Sequence, residues 1–170
     1  MATAATPGER ARGVMAEITG LRSGEHLGNL PAEISSFIGR REELAEIERL
    51  LSGSRLVTLT GVAGVGKTRT ALRAASELRA AFPDGVWLAE LSGLEDSGLL
   101  AYAVAHALGL RDQTTRPPLD VLTGFLSGRR ALLVLDTCEH LLDACALLAE
   151  VLLAACPWLR ILATSRRPLN

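Results

Sequence analysis

Residues 61–68 read Gly-Val-Ala-Gly-Val-Gly-Lys-Thr, and this run restricts the fold more tightly than any other part of the chain. It fits the phosphate-loop pattern of Gly, four residues, then Gly-Lys-Ser/Thr. Arg55–Thr60 before it is apolar and β-branched and stops at a glycine, as a buried parallel strand does. Thr70–Arg79 after it carries apolar residues at helical spacing. A strand passing through a glycine turn into a helix is the context in which the pattern acts. Gly61, Gly64 and Gly66 let the backbone come close to a ligand and turn its N–H groups inward, with Val62, Ala63 and Val65 between them. The helix N-terminus adds the positive end of its dipole. Lys67 is the one lysine among 18 basic residues. Its compact charge on a flexible stem suits a reach between β- and γ-phosphate oxygens, whereas an arginine fork does not. Thr68 is placed to offer its hydroxyl to magnesium. With Arg69 on the first helical turn, the loop from Gly61 to Thr68 makes the expected nucleotide-binding set. The plainer alternative is a glycine-rich turn with no ligand; the flanking strand and helix favour phosphate.

The remaining composition bounds the class. A chain of 170 residues, 48% hydrophobic, is long enough for one domain with a buried sheet. The formal charge of −1 argues against a broad nucleic-acid surface on this segment. Leu141–Cys156 is apolar but too short to span a membrane and is interrupted by Asp143 and Glu150. No charged-then-apolar leader opens the chain. Cys138, Cys145 and Cys156 have no paired spacing, which suits a reducing, cytoplasmic setting.

Residues 1–30 are rich in Ala, Gly, Thr and Arg without sustained apolar periodicity and read as a disordered lead-in or linker. Residues 31–170 read as the folded domain. Helices are expected at Glu42–Leu51, Ser97–Leu108, Leu119–Leu126 and Glu139–Ala155. Further strands are expected at Val86–Leu91, Ala131–Leu135 and Leu159–Thr164, with a loop from Asp112 to Pro118. This alternation predicts an α/β fold: a three-layer α/β/α phosphate-loop NTPase core on a parallel sheet. Ligands of such sheets lie beyond the carboxyl ends of the strands, where Thr60, Asp136 and Thr164 all fall.

Asp136 ends a continuous apolar run and suits two roles. As a carboxylate beyond a strand end it would hold magnesium through water, opposite Thr68; otherwise it would cap the next helix. Glu139, three residues on, is placed either as a base on water or as an acidic partner for the first turn of that helix. Cys138, His140 and Cys145 lack a fourth ligand or a recognised metal spacing. Arg129-Arg130 reads as a solvated turn.

Leu132-Leu133-Val134-Leu135-Asp136-Thr137-Cys138-Glu139-His140-Leu141 resembles the Walker B segment of signal-transduction ATPases with numerous domains (STAND), and the loop at Gly61–Thr68 is the matching Walker A. The likeness is to the NB-ARC-like (AP-ATPase) module of bacterial LuxR-type and AfsR/SARP-type transcriptional regulators, and it runs from about Asn29 to the end. Ser36-Phe37-Ile38-Gly39-Arg40-Arg41-Glu42-Glu43-Leu44 is similar to the family's opening motif. The resemblance implies that Phe37, Ile38, Gly39 and Arg40 fold over the nucleotide base. Ile161-Leu162-Ala163-Thr164-Ser165-Arg166 is similar to its sensor strand, which implies that Arg166 reads the terminal phosphate. Taken alone, Phe37–Arg40 would be a helix lead-in and Arg166 a surface arginine.

The resemblance implies an ATP- or ADP-binding switch core with Mg2+, and a chemical set of Asp136, Glu139 and Arg166, with Thr68 and Asp136 on the metal. Thr137 departs from the many phosphate-loop ATPases that place a carboxylate directly after the Walker B aspartate, so hydrolysis is expected to be slow or absent. The family continues past the position of Asn170 with a fifth strand, a helical bundle, a winged-helix domain and effector domains, so a fragment or truncated reading frame is expected. In the family's sheet order the Arg55–Thr60 strand would then be an open edge unless the N-terminal segment covers it, which favours self-association. Two other classes stay open: a working phosphate-loop ATPase or small-molecule kinase, and a nucleotide-free interaction fragment. The three near-matches to a transporter signature, Leu51-Ser52-Gly53, Leu91-Ser92-Gly93 and Leu126-Ser127-Gly128, lack the rest of that motif.

Overall fold

Four short apolar runs form strands, and the helices between them cover both faces. The structure, a computed structural model, describes residues 27–32, 39–110 and 116–169; the expected roles of Phe37 and Ile38, and most of the lead-in, lie outside these residues. Helix α1 (Arg41–Gly53) is followed by β1 (Leu56–Thr60), α2 (Lys67–Glu77) and β2 (Val86–Glu90). Then come α3 (Leu100–Ala107), α4 (Pro118–Leu126), β3 (Leu132–Asp136), α5 (Leu142–Ala155) and β4 (Arg160–Ser165). The sheet order is β1-β4-β3-β2, and every pairing is parallel.

Alternation along the strands splits the core in two. Trp87, Ala89, Leu133, Leu135, Ile161 and Ala163 face α3, α4 and α5. Val57, Val86, Leu88, Leu132, Val134 and Leu162 face α1 and α2. Both faces being covered explains why β3 is an unbroken apolar run, with Leu132–Leu135 fully buried. Asp136 and Thr164 share the parity of Val134 and Leu162, so both emerge on the α2 side. Helix α2 buries Ala71, Ala74 and Ala75; these small side chains let the helix lie close against the sheet.

The helix after β3 starts at Leu142, three residues later than the spacing suggests, and Glu139 is not on its first turn. Thr137 adopts a left-handed φ of 66°, uncommon for a β-branched residue. Its N–H donates to Thr164 Oγ1 at 2.9 Å, and the Cys138 N–H donates to the Thr164 carbonyl at 2.9 Å. Both amides are thus taken by β4, and residues 137–141 form a turn. The helix-cap alternative for Asp136 falls with this, because α5 is preceded by Leu141.

Among the described residues, β1 and β2 are the sheet edges. The last residues of the expected lead-in, Leu27–Asn29, lie on the β2 edge rather than on β1. Gly28 bridges Val86 in parallel, and the Val86 N–H donates to the Leu27 carbonyl at 3.0 Å. Asn29 Oδ1 accepts from the Leu88 N–H at 2.6 Å, while Nδ2 donates to the Leu88 carbonyl at 2.9 Å. The side-chain amide so stands in for a strand backbone. Gly28 has φ +136°, and a Cβ there would lie 1.9 Å from the Val86 carbonyl oxygen, so only glycine fits.

A candidate phosphate and cation site

The site forms where α2 begins, beyond the carboxyl ends of β1, β3 and β4. Gly66 precedes α2 with φ 89°, a left-handed conformation that turns the loop sharply into the helix. Lys67 Nζ curls back over the loop and donates to the carbonyls of Gly61 at 2.9 Å and Val62 at 3.2 Å. These are neutral acceptors; a charged phosphate oxygen forms a stronger bond with an ammonium. Thr68 Oγ1 donates to Asp136 Oδ1 at 2.8 Å. Ala63, Gly64, Gly66, Lys67, Thr68 and Arg69 line a cavity of about 260 Å³ together with Thr137, Glu139 and Thr164. Gly61 meets the site through its carbonyl. Val62 is 74% exposed, and neither it nor Val65 lines the cavity.

Asp136 is buried, and its carboxylate accepts from three threonine hydroxyls. Oδ1 also accepts from Thr164 Oγ1 at 2.6 Å, and Oδ2 accepts from Thr137 Oγ1 at 3.2 Å. Thr68 and Asp136 together present hard oxygen donors beside a lysine and a helix N-terminus. This donor chemistry fits a magnesium ion bound with phosphate. The sequence places Thr164 at a strand end and within the sensor-like segment but gives it no role; the structure makes it a partner of Asp136.

Arg40 lies against the loop rather than in the cavity. Its residue has φ 59°, and its guanidinium donates to the Val65 carbonyl through Nη2 and to Thr70 Oγ1 through Nη1 at 3.3 Å. Thr70 Oγ1 in turn donates to the Gly66 carbonyl at 3.0 Å. Arg40 and Thr70 thereby brace the Val65 and Gly66 carbonyls of the loop. Gly39 has φ +87° and open space around its Cα.

Arg166 follows β4 and pairs with Glu139, Nε to Oε1 at 3.2 Å. His140 Nε2 lies 2.9 Å from the Leu94 carbonyl, which ties the loop after β3 to the loop after β2. Cys138, Cys145 and Cys156 are free and buried. The Cys138 thiol is pushed up, first by its hydrogen bond with Cys145, then by burial and the neighbouring Asp136 and Glu139 carboxylates. Burial pushes Cys156 up. No helix among the described residues is long and apolar enough to cross a membrane.

A family model described as an AAA domain matches residues 48–166. A protein of Mycobacterium tuberculosis named as an HTH-type transcriptional regulator is 53% identical over 123 residues, which cover 71% of this chain and 14% of that one. The regulatory protein AfsR of Streptomyces coelicolor is 33% identical over 126 residues, covering 63% of this chain and 13% of its own. This chain therefore spans a small part of the length of these relatives. Among solved structures, a STAND protein with a tetratricopeptide repeat sensor from Pyrococcus horikoshii superposes with a TM-score of 0.56 at 20% identity, over 83% of this chain and 22% of that one. The chain belongs to the AAA domain family.

Proposed function

We propose that this chain is the nucleotide-binding core of a signalling switch, binding ATP or ADP with Mg2+ and hydrolysing slowly or not at all. The observation that carries this is one cavity at the N-terminus of α2 lined by Lys67 and Thr68, with the Thr68 hydroxyl bonded to the buried Asp136 carboxylate. The loop amides from Gly61 to Thr68 cradle phosphates, and Lys67 exchanges its carbonyl partners for phosphate oxygens. Arg69, on the cavity wall, adds a second cation. Thr68 and Asp136 hold the magnesium ion, which when bound neutralises phosphate charge. Arg166 reads the terminal phosphate. The segment carrying Gly39 and Arg40 approaches the base from the side of α1.

The regulator names of the relatives support a role in transcriptional control within a cytoplasmic protein that has further switch and effector domains. With a formal charge of −1, this segment leaves nucleic-acid binding to other parts. The edge of β1, unpaired among the described residues, favours self-association. A working ATPase or kinase would show fast turnover, and a nucleotide-free interaction fragment would ignore nucleotide.

The test is a thermal melt with and without ADP or ATP and Mg2+. At 100 times the dissociation constant, binding adds about 2.7 kcal/mol, and Lys67→Ala removes the shift. A folded sample whose melt is unmoved by millimolar nucleotide would end this reading.

A further inference from the structure

Glu139 lines the same cavity as Lys67 and Thr68. A negative group there repels the phosphate ligand that the lysine and the helix N-terminus attract. Its surroundings hold it in place. The turn that carries it is fixed by Thr137, whose N–H goes to Thr164 Oγ1. The Cys138 N–H goes to the Thr164 carbonyl, and the Leu141 N–H goes to the Cys138 carbonyl at 2.9 Å. Glu139 is only 22% exposed, and its one ion pair among the described residues is with Arg166, which is 62% exposed. The second oxygen, Oε2, is buried with no hydrogen-bond partner among the described residues. A carboxylate in that position depends strongly on its single cation.

Building on the nucleotide reading above, we infer that Glu139 is a specificity-determining residue that sets the balance between nucleoside diphosphate and triphosphate by holding Arg166. A diphosphate is bound by the loop amides and Lys67 and leaves the Glu139–Arg166 pair intact. A third phosphate brings new negative charge into the same cavity. It is repelled by Glu139 and must take Arg166 from it to be bound well. Two penalties, repulsion and the loss of a partner for a half-buried carboxylate, fall on the triphosphate alone. The pair therefore biases the core toward the diphosphate-bound state. Because Arg166 is tethered to the end of β4 and Glu139 to the turn after β3, exchange of Arg166 from carboxylate to phosphate also changes how these two segments are tied together.

The experiment is isothermal titration of the full 170-residue chain with ADP and with a non-hydrolysable ATP analogue, both with Mg2+. Glu139→Gln keeps the shape and removes the charge. It is expected to raise affinity for the triphosphate analogue relative to ADP by about fivefold or more, the lower range of ordinary coupling between sites. Arg166→Gln, at an exposed position, is expected to lower that same ratio. In the double variant the Glu139 substitution should have a smaller effect than in the parent, since there is no arginine left to release. If Glu139→Gln fails to fold, Glu139→Ala decides by the same rise in ratio, since Arg166→Gln alone lowers the ratio wherever Arg166 contacts the terminal phosphate. Binding of both nucleotides with a ratio that neither variant moves overturns the inference while leaving the nucleotide site standing. Failure of the folded parent chain to bind either nucleotide overturns both.

Discussion

Thr164 donates its hydroxyl hydrogen to Oδ1 of Asp136 at 2.6 Å, the same oxygen that accepts from Thr68 at 2.8 Å. The two residues end adjacent strands on one face of the sheet, so the carboxylate is aimed from its own strand and steadied from the next. Thr164 also accepts the N–H of Thr137, which makes it the joint between the β3 turn and β4.

Thr164→Val preserves shape and removes both bonds. It should destabilise the chain by about 1–3 kcal/mol, the cost of leaving a buried polar group unsatisfied. It should also weaken the magnesium dependence of nucleotide binding, while Thr164→Ser retains both. Denaturant melts, and nucleotide titrations with and without Mg2+, check the two effects separately.

Arg40→Gln and Thr70→Val remove the outer brace on the Val65 and Gly66 carbonyls. Loop shape serves diphosphate and triphosphate alike, so both affinities should fall together, by roughly tenfold for a loss of about 1.4 kcal/mol. Calorimetry with each nucleotide measures it. A loss confined to one nucleotide would mean that Arg40 contacts the ligand selectively rather than supporting the loop.

Steady-state phosphate release should lie more than an order of magnitude below the median enzyme rate of about 10 per second. Thr137 has no carboxylate, and Glu139 is tied to Arg166, so among the described residues neither position after Asp136 offers an unpaired carboxylate as base. Rapid turnover that vanishes in Asp136→Asn would contradict this and would point to Glu139 as the base.

Alkylation of the native thiols should be slow at neutral pH. Cys138 and Cys156 are held above the ordinary thiol value, so the reactive thiolate is scarcer in the folded chain than in the unfolded one and rises only at higher pH. Cys145 is shifted down by its hydrogen bond with Cys138, but it is fully buried and shielded from reagent. Mass spectrometry after iodoacetamide treatment should find little label until denaturant is added. Fast labelling of the native chain would show that the turn after β3 opens.

Much of the fold was legible because its elements are local. The β-branched run into Gly61, the helical spacing after Thr68 and the apolar run into Asp136 each declare themselves within ten residues, and every expected strand is present. The helix start at Glu139 was misplaced because the competing partner for its backbone lies 27 residues away, in Thr164. Local spacing cannot see an amide captured by another strand. The same distance hides the Asn29 clamp on β2, where Asn29 and Leu88 are 59 residues apart.

By itself the sequence determined the phosphate loop, its single lysine, the strand–helix alternation and the carboxylate at the end of β3. These depend on residue type and short-range period. The tertiary structure decided which side chains meet. Thr68 reaches Asp136 across 68 residues, Arg40 reaches Thr70 across 30, and Arg166 reaches Glu139 across 27. The second of these follows from packing α1 against α2, and the first and last from placing β4 between β1 and β3 in parallel register. That order is set by burial of both sheet faces at once, a property of the whole core that no local stretch contains.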